Sequence, residues 1–197
     1  MTSKVQIAKM ALQHIGDRYD ITSLDEVSTE AEQVNLMYDA TRDKLLRMHP
    51  WTFATKFTTP APLVVAVPYR WDYAFAYPSD CLKIVEITQP LGPGYPPVKF
   101  RTGTIATQKV VMCDLDEPEL QYIFRNDDPV TYDPSFVMSF SYLLAAYVAI
   151  PLTGDRGLKG DLMREAMAEV DIARQEDANE GVEDEKFIDP DWIRARL

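Results

Sequence analysis

Between Asp133 and Asp155 the chain reads DPSFVMSFSYLLAAYVAIPLTGD, with no charged side chain inside. A stretch of this kind either crosses a membrane or forms a helix whose surroundings are protein. Length separates the two: from Ser135 to Ile150, between the prolines, a helix rises roughly 24 Å at ~1.5 Å per residue, short of a hydrocarbon core of ~30 Å. Pro151 removes a backbone donor, the hydroxyls of Tyr142 and Tyr147 need partners, and no basic cluster flanks the stretch. The sequence therefore predicts a buried bundle helix and no membrane contact. Its small residues, Ser139, Ser141, Ala145, Ala146 and Ala149, allow close approach on more than one face.

The partners of such a helix are legible nearby. Leu158, Leu162, Ala166, Val170 and Ala173 recur at helical spacing with charged residues between them, so a second helix over 158–173 makes a hairpin with the first, joined at Pro151 to Gly154. Near the N-terminus, Val5, Ala8, Leu12 and Ile15 form a stripe that Gly16 ends. Thr29 and Glu32 read as a capping box ahead of Val34, Met37, Tyr38, Thr41, Leu45 and Met48, and Pro50 closes that helix.

From 51 to 125 the texture changes to short aromatic and β-branched runs: WTFATKF, LVVAV, YAFAY, LKIVEI, VKF, KVVMC and LQYIF. The gaps hold PAP, PSD, QPLGPGYPP, RTGT and DEPE. This predicts a small antiparallel β domain with one face on the helices. The loop from Gln89 to Pro97 reads either as a surface turn or as a projection that touches a partner. Gln175 to Asp191 is acidic and reads as solvated, while the end of the chain turns apolar and basic. The expected class is α+β: a four-helix bundle from 1–50 and 133–178, an inserted β domain at 51–132, and an extended C-terminal arm at 179–197. In that arm Phe187, Ile188, Trp192, Ile193, Arg194 and Arg196 form a pattern suited to ordering on a partner, against the plainer reading of a frayed terminus.

Catalytic chemistry is sparse. A formal charge of −11 argues against broad binding to a phosphate backbone. The segment MTSKVQIAKMALQHIG carries Lys4 and Lys9 inside its apolar pattern and lacks a signal-peptide core, which predicts a product that stays in the cytosol. Cys81 and Cys113 are too far apart for a metal knuckle and read as small buried hydrophobes. GDRGLKG at 154–160 lacks the residues of a phosphate loop and reads as a helix start; DLDEPE at 114–119 lacks the glycine of a calcium loop and reads as a turn. His14 and His49 have no second ligand at metal spacing. No cofactor, metal or catalytic residue is expected; the alternative is a small hydrolase with a Cys81 nucleophile and His49 as its base, should the fold bring them together.

The segments RMHPWTFATK at 47–56, YAFAYPSDCLKI at 73–84, FRNDDPVTYDPSFVMSFSYLLAAYVAIPLTGD at 124–155 and a terminal DPDWIRARL, in this order and spacing, resemble the head-to-tail adaptor proteins of short-tailed bacteriophages. These are also called tail tubular protein A or tail accessory factor. The resemblance covers nearly the whole chain. It implies a non-enzymatic virion protein with a helical bundle and an inserted β domain. Such proteins assemble in the host cytoplasm into a twelve-membered ring between the portal protein and the tail nozzle (tail tubular B-like) protein, and double-stranded DNA passes through the lumen. It further implies that the C-terminal arm grips the portal, with Trp192 as its apolar anchor and Arg194 and Arg196 pairing with portal carboxylates. An acidic lumen would repel DNA phosphates and let the genome slide.

Overall fold

The computed structural model describes residues 2–68, 70–88 and 98–180, so the expectations for the Gln89–Pro97 loop and for the arm residues Phe187, Ile188, Trp192, Ile193, Arg194 and Arg196 lie outside the described residues. Two helices come first, α1 (Lys4–His14) and α2 (Thr29–Leu46). Six strands follow: β1 (Thr55–Thr58), β2 (Tyr73–Ala76), β3 (Cys81–Thr88), β4 (Phe100–Ile105), β5 (Gln108–Cys113) and β6 (Glu119–Phe124). The described chain then ends in α3 (Pro134–Thr153) and α4 (Arg156–Glu180). The strands form two antiparallel three-stranded sheets, ordered β1-β6-β3 and β2-β5-β4, and the class is α+β.

The uncharged stretch becomes α3, which packs along α4 and against both α1 and α2. It is longer than its prolines suggested. Pro134 is its first residue, where a missing N–H has no acceptor to lose, and Pro151 lies inside the last turn rather than ending the helix. The turn survives because Thr153 Oγ1 donates to the Ala149 carbonyl at 2.6 Å and the N–H of Gly154, left-handed at φ 73°, donates to Ile150 O at 2.8 Å. Twenty residues rise about 30 Å, so length alone does not tell this helix from a membrane span. Its apolar window, of mean hydropathy 1.7, is 61% buried inside the fold, and helices cover several of its faces.

Caps refine the other boundaries. Ser28, not Thr29, caps α2 by accepting from the Ala31 N–H, and Ser3 caps α1 by accepting from Gln6. Gly16, at φ 79°, makes the left-handed turn that closes α1. Asp155 Oδ1 accepts from the N–H groups of Gly157 and Leu158, so GDRGLKG does start a helix. That helix, α4, runs on to Glu180, past the apolar stripe that ends at Ala173 and into the acidic run, whose side chains stay mostly exposed.

The β segment is two stacked layers rather than one sheet. β5 alternates strictly: Val111 and Cys113 face the cluster shared with Ile84, Ile87 and Leu120 of the other sheet, whereas Val110 and Met112 face outward beneath Leu63, Val67 and Trp71. The first sheet turns its remaining face to the helices through Leu82 and Ile123. In β3 two register shifts, at Cys81/Lys83 and Ile84/Glu86, let Cys81, Ile84 and Ile87, each three residues apart, point to one side. Each sheet therefore has apolar cover on parts of both faces, which is why alternation looked incomplete in the sequence. LVVAV is not a strand. Its neighbours Pro60, Pro62 and Pro68 lack the N–H a ladder needs, and its backbone pairing with β2 is a single bridge at Pro62 and Phe75, with the Leu63 N–H on Ala74 O at 2.8 Å and the Ala76 N–H on Ala61 O at 2.9 Å. RTGT, expected as a gap, lies within β4; the absent side chain of Gly103 leaves room for Met112 Cε, 3.2 Å from where a Cβ would stand.

Candidate functional site

The densest polar and aromatic constellation lies where the helices meet the first sheet. Trp51, fully buried ahead of a 3-10 turn at Thr52–Ala54, donates from Nε1 to Leu45 O at 3.2 Å and meets Phe136 edge-on at 5.1 Å. Phe53 packs on Phe136 and Tyr132. The Tyr132 hydroxyl donates to Asn126 O at 2.8 Å, and buried Asn126 donates to Phe53 O at 3.1 Å. From α4, Asp177 reaches back across this joint: one oxygen pairs with His49 Nε2 at 3.0 Å and the other accepts the Thr52 N–H at 2.9 Å. Arg174 adds a bond to Met48 O, and Arg47 donates to Leu82 O at 2.8 Å.

A second knot ties the sheet to the same joint. Asp80 accepts from Lys56 Nζ at 3.0 Å and from the Tyr122 hydroxyl at 3.2 Å, and the Lys56 partner holds its carboxyl below the usual range against the opposing effect of burial. Burial, reinforced by the same aspartate, pushes the Tyr122 hydroxyl up to about 12. Arg125 pairs with Asp43 at 2.9 Å, and Asp43 also holds the buried Arg42, joining strand β6 to helix α2.

Chemically this joint holds position. A histidine beside a carboxylate can serve as a general base, but here Nε2 is occupied by Asp177 and the ring meets Trp51 edge-on at 4.9 Å. Cys81, its expected nucleophile, lies instead between the sheets with Phe75, Ile84 and Tyr122, and burial raises its thiol pKa, as it does that of Cys113. The fold does not join Cys81 and His49 by a hydrogen bond. Among the described residues no group of three His, Cys, Asp or Glu side chains is placed to hold a metal ion.

No protein-family model matches the chain, and no curated protein matches it. The surface carries apolar side chains on separate elements: Val27 before α2, Leu36 on α2, Phe57 on β1, Val64 in the segment before β2 and Ile172 on α4 are all exposed. The six arm residues expected to meet a partner lie outside the described residues. Asp177, Asp80 and Asn126 escaped sequence reasoning. Asp177 sits in an acidic run whose members look alike, and only its partners, 125 and 128 positions away, single it out.

His14 has a separate place, between α1 and α3. Its Nε2 lies 3.0 Å from Ser141 Oγ and its ring stacks on Tyr142 at 3.8 Å; burial lowers its pKa below 6.5. The folded state therefore binds this proton less readily than the unfolded chain. Its contribution is intact above pH 6.5 and is lost as pH falls from 6.5 toward the lowered folded value, with a slope that one proton limits to about 1.4 kcal/mol per pH unit. Urea midpoints measured across this window should fall faster for the wild type than for His14→Phe, which keeps the stacking but cannot titrate. Parallel curves would remove His14 as the source.

Proposed function

We propose that this chain is a head-to-tail adaptor of a short-tailed bacteriophage virion, a subunit of a twelve-membered ring between the portal and the tail nozzle, and not an enzyme. In this reading α1 to α4 form the helical bundle, the six strands between α2 and α3 are its inserted β domain, and the chain after Glu180 is the portal-binding arm. The observation that supports it most is where the resembling segments lie. RMHPWTFATK supplies Trp51, Phe53 and Lys56; YAFAYPSDCLKI supplies Asp80 and Leu82; the 124–155 segment supplies Arg125, Asn126, Tyr132 and Phe136. All of them bear on the one joint that fixes the strands against the helices.

That joint suits a load-bearing subunit, since buried rings and paired charges on several elements leave the two layers little freedom to slide. The exposed apolar residues on separate elements suit heterologous contacts, in which each copy offers different patches to its two neighbours and a fixed rotation closes the ring. An acidic lumen would let double-stranded DNA pass without adhering.

Negative-stain imaging of the protein alone and mixed with portal rings tests the reading. The expected result is annular adaptor density seated on the portal, lost when residues 182–197 are deleted while the melting transition stays nearly unchanged. Twelve arms acting together make even a modest loss per arm visible. Rings that bind equally well without the arm would move the interface to the bundle. The absence of any portal complex from the full chain would refute the adaptor role.

A further inference from the structure

Arg70, Lys99 and Arg101 converge on a hollow of about 300 Å³ beside Trp71, and Asp114 is the one carboxylate among the described lining residues. The topology builds this cluster from distant positions. Arg101 is the second residue of β4 and Lys99 immediately precedes that strand; the two side chains line the same hollow on the second sheet. Farther along β4, Ile105 packs under the segment that precedes β2, where Trp71 is half-buried against Ala74, Val110 and Met112. The N–H of Asp72 donates to Asp114 Oδ1 at 3.2 Å, which ties this segment to the end of β5 and fixes the two walls of the hollow.

Three cations face one carboxylate here, a local excess of two positive charges on a chain of net charge −11. The ion pairs among the described residues engage Lys9, Arg42, Lys56, Arg125, Arg164 and Arg174 and leave Arg70, Lys99 and Arg101 without one. Gathering like charges is unfavourable unless an anion joins them, and guanidinium groups suit phosphate oxygens through paired N–H bonds. The volume lies at the lower end of the ~300–1,000 Å³ of small-ligand pockets. An acidic polypeptide would use the cations and leave the indole idle, whereas a nucleotide uses both, its phosphate on the charges and its base on the aromatic ring.

We propose that this hollow binds a phosphorylated nucleoside unit, with the phosphate held by Arg70, Lys99 and Arg101 and the base against Trp71. The proposal does not depend on the adaptor reading, and it limits what the negative total charge implies. Screening confines the repulsion of distant carboxylates to about 10 Å at ordinary ionic strength, so a local cluster can bind what the whole surface repels.

Fluorescence anisotropy of a labelled oligothymidylate against the full-length protein at low salt tests it. The expected result is saturable binding whose log K falls with log salt at a slope of about −0.7, as for one neutralised phosphate on a single strand. Arg101→Glu and Lys99→Glu should each weaken binding by about tenfold or more with unchanged melting, because both side chains are exposed. Trp71→Phe, which keeps the apolar packing, should weaken it less. Displacement by thymidine monophosphate at equal phosphate would assign the hollow to free nucleotides; displacement by unlabelled strand alone would assign it to nucleic acid. Either supports the phosphate site. No saturable binding, charge reversals without effect, or displacement by polyglutamate as effective as by the strand would overturn it.

Discussion

Ala146→Asp is expected to unfold the protein or come close to it. Ala146 is fully buried on α3, within the cluster formed by α1, α2, α3 and α4. The residues of that cluster are apolar, so a carboxylate placed there loses its hydration and must either stay charged at high cost or take up a proton. The cost is several kcal/mol, against a typical total stability of ~5–15 kcal/mol. Ala146→Ser makes the control. A serine hydroxyl can bond back to its own helix, as Ser139 does to Ser135 O at 2.9 Å and Ser141 to Met138 O at 2.8 Å, so this variant should stay folded with a much smaller loss. Urea titrations of the three proteins decide the matter. An aspartate variant that melts like the wild type would mean that α3 is not a core helix.

Trp51→Ala should cost about 3–5 kcal/mol, the usual range for deleting a large buried aromatic. Trp51 has no exposed surface; it touches rings on both sides of the joint, His49 and Phe53 from its own segment and Phe136 from α3. Its loss leaves a cavity at the place where helices and strands are fixed to each other, and it strips Leu45 O of a donor. Trp51→Phe refills most of the volume but not the hydrogen bond and should cost distinctly less. If the joint holds the two layers together, the alanine variant should also show earlier proteolytic cleavage within 51–125 than within α3. Equal cleavage rates would mean that the two parts unfold together and that Trp51 acts on global stability alone.

The sequence determined the parts whose causes are local. The uncharged run over 133–155 had to be buried, and it became α3. The stripe of Leu162, Ala166, Val170 and Ala173 had to face a partner, and it lies along α3. The β-branched runs over 81–124 became strands because alternation and turn residues act over a few positions. Tertiary structure decided the rest. Pro151 stays helical because Thr153 and Gly154 satisfy the carbonyls around it. LVVAV fails as a strand because prolines flank it and it gains only one bridge to a neighbour. The strands split into two layers because bulges in β3 turn three apolar residues toward a second sheet. Asp177 became a clasp, and Arg70, Lys99 and Arg101 a cluster, only when folding brought remote positions together. Backbone preference and periodicity report on neighbours within about a turn, whereas a charge acquires its role from whatever the finished fold places within hydrogen-bond reach.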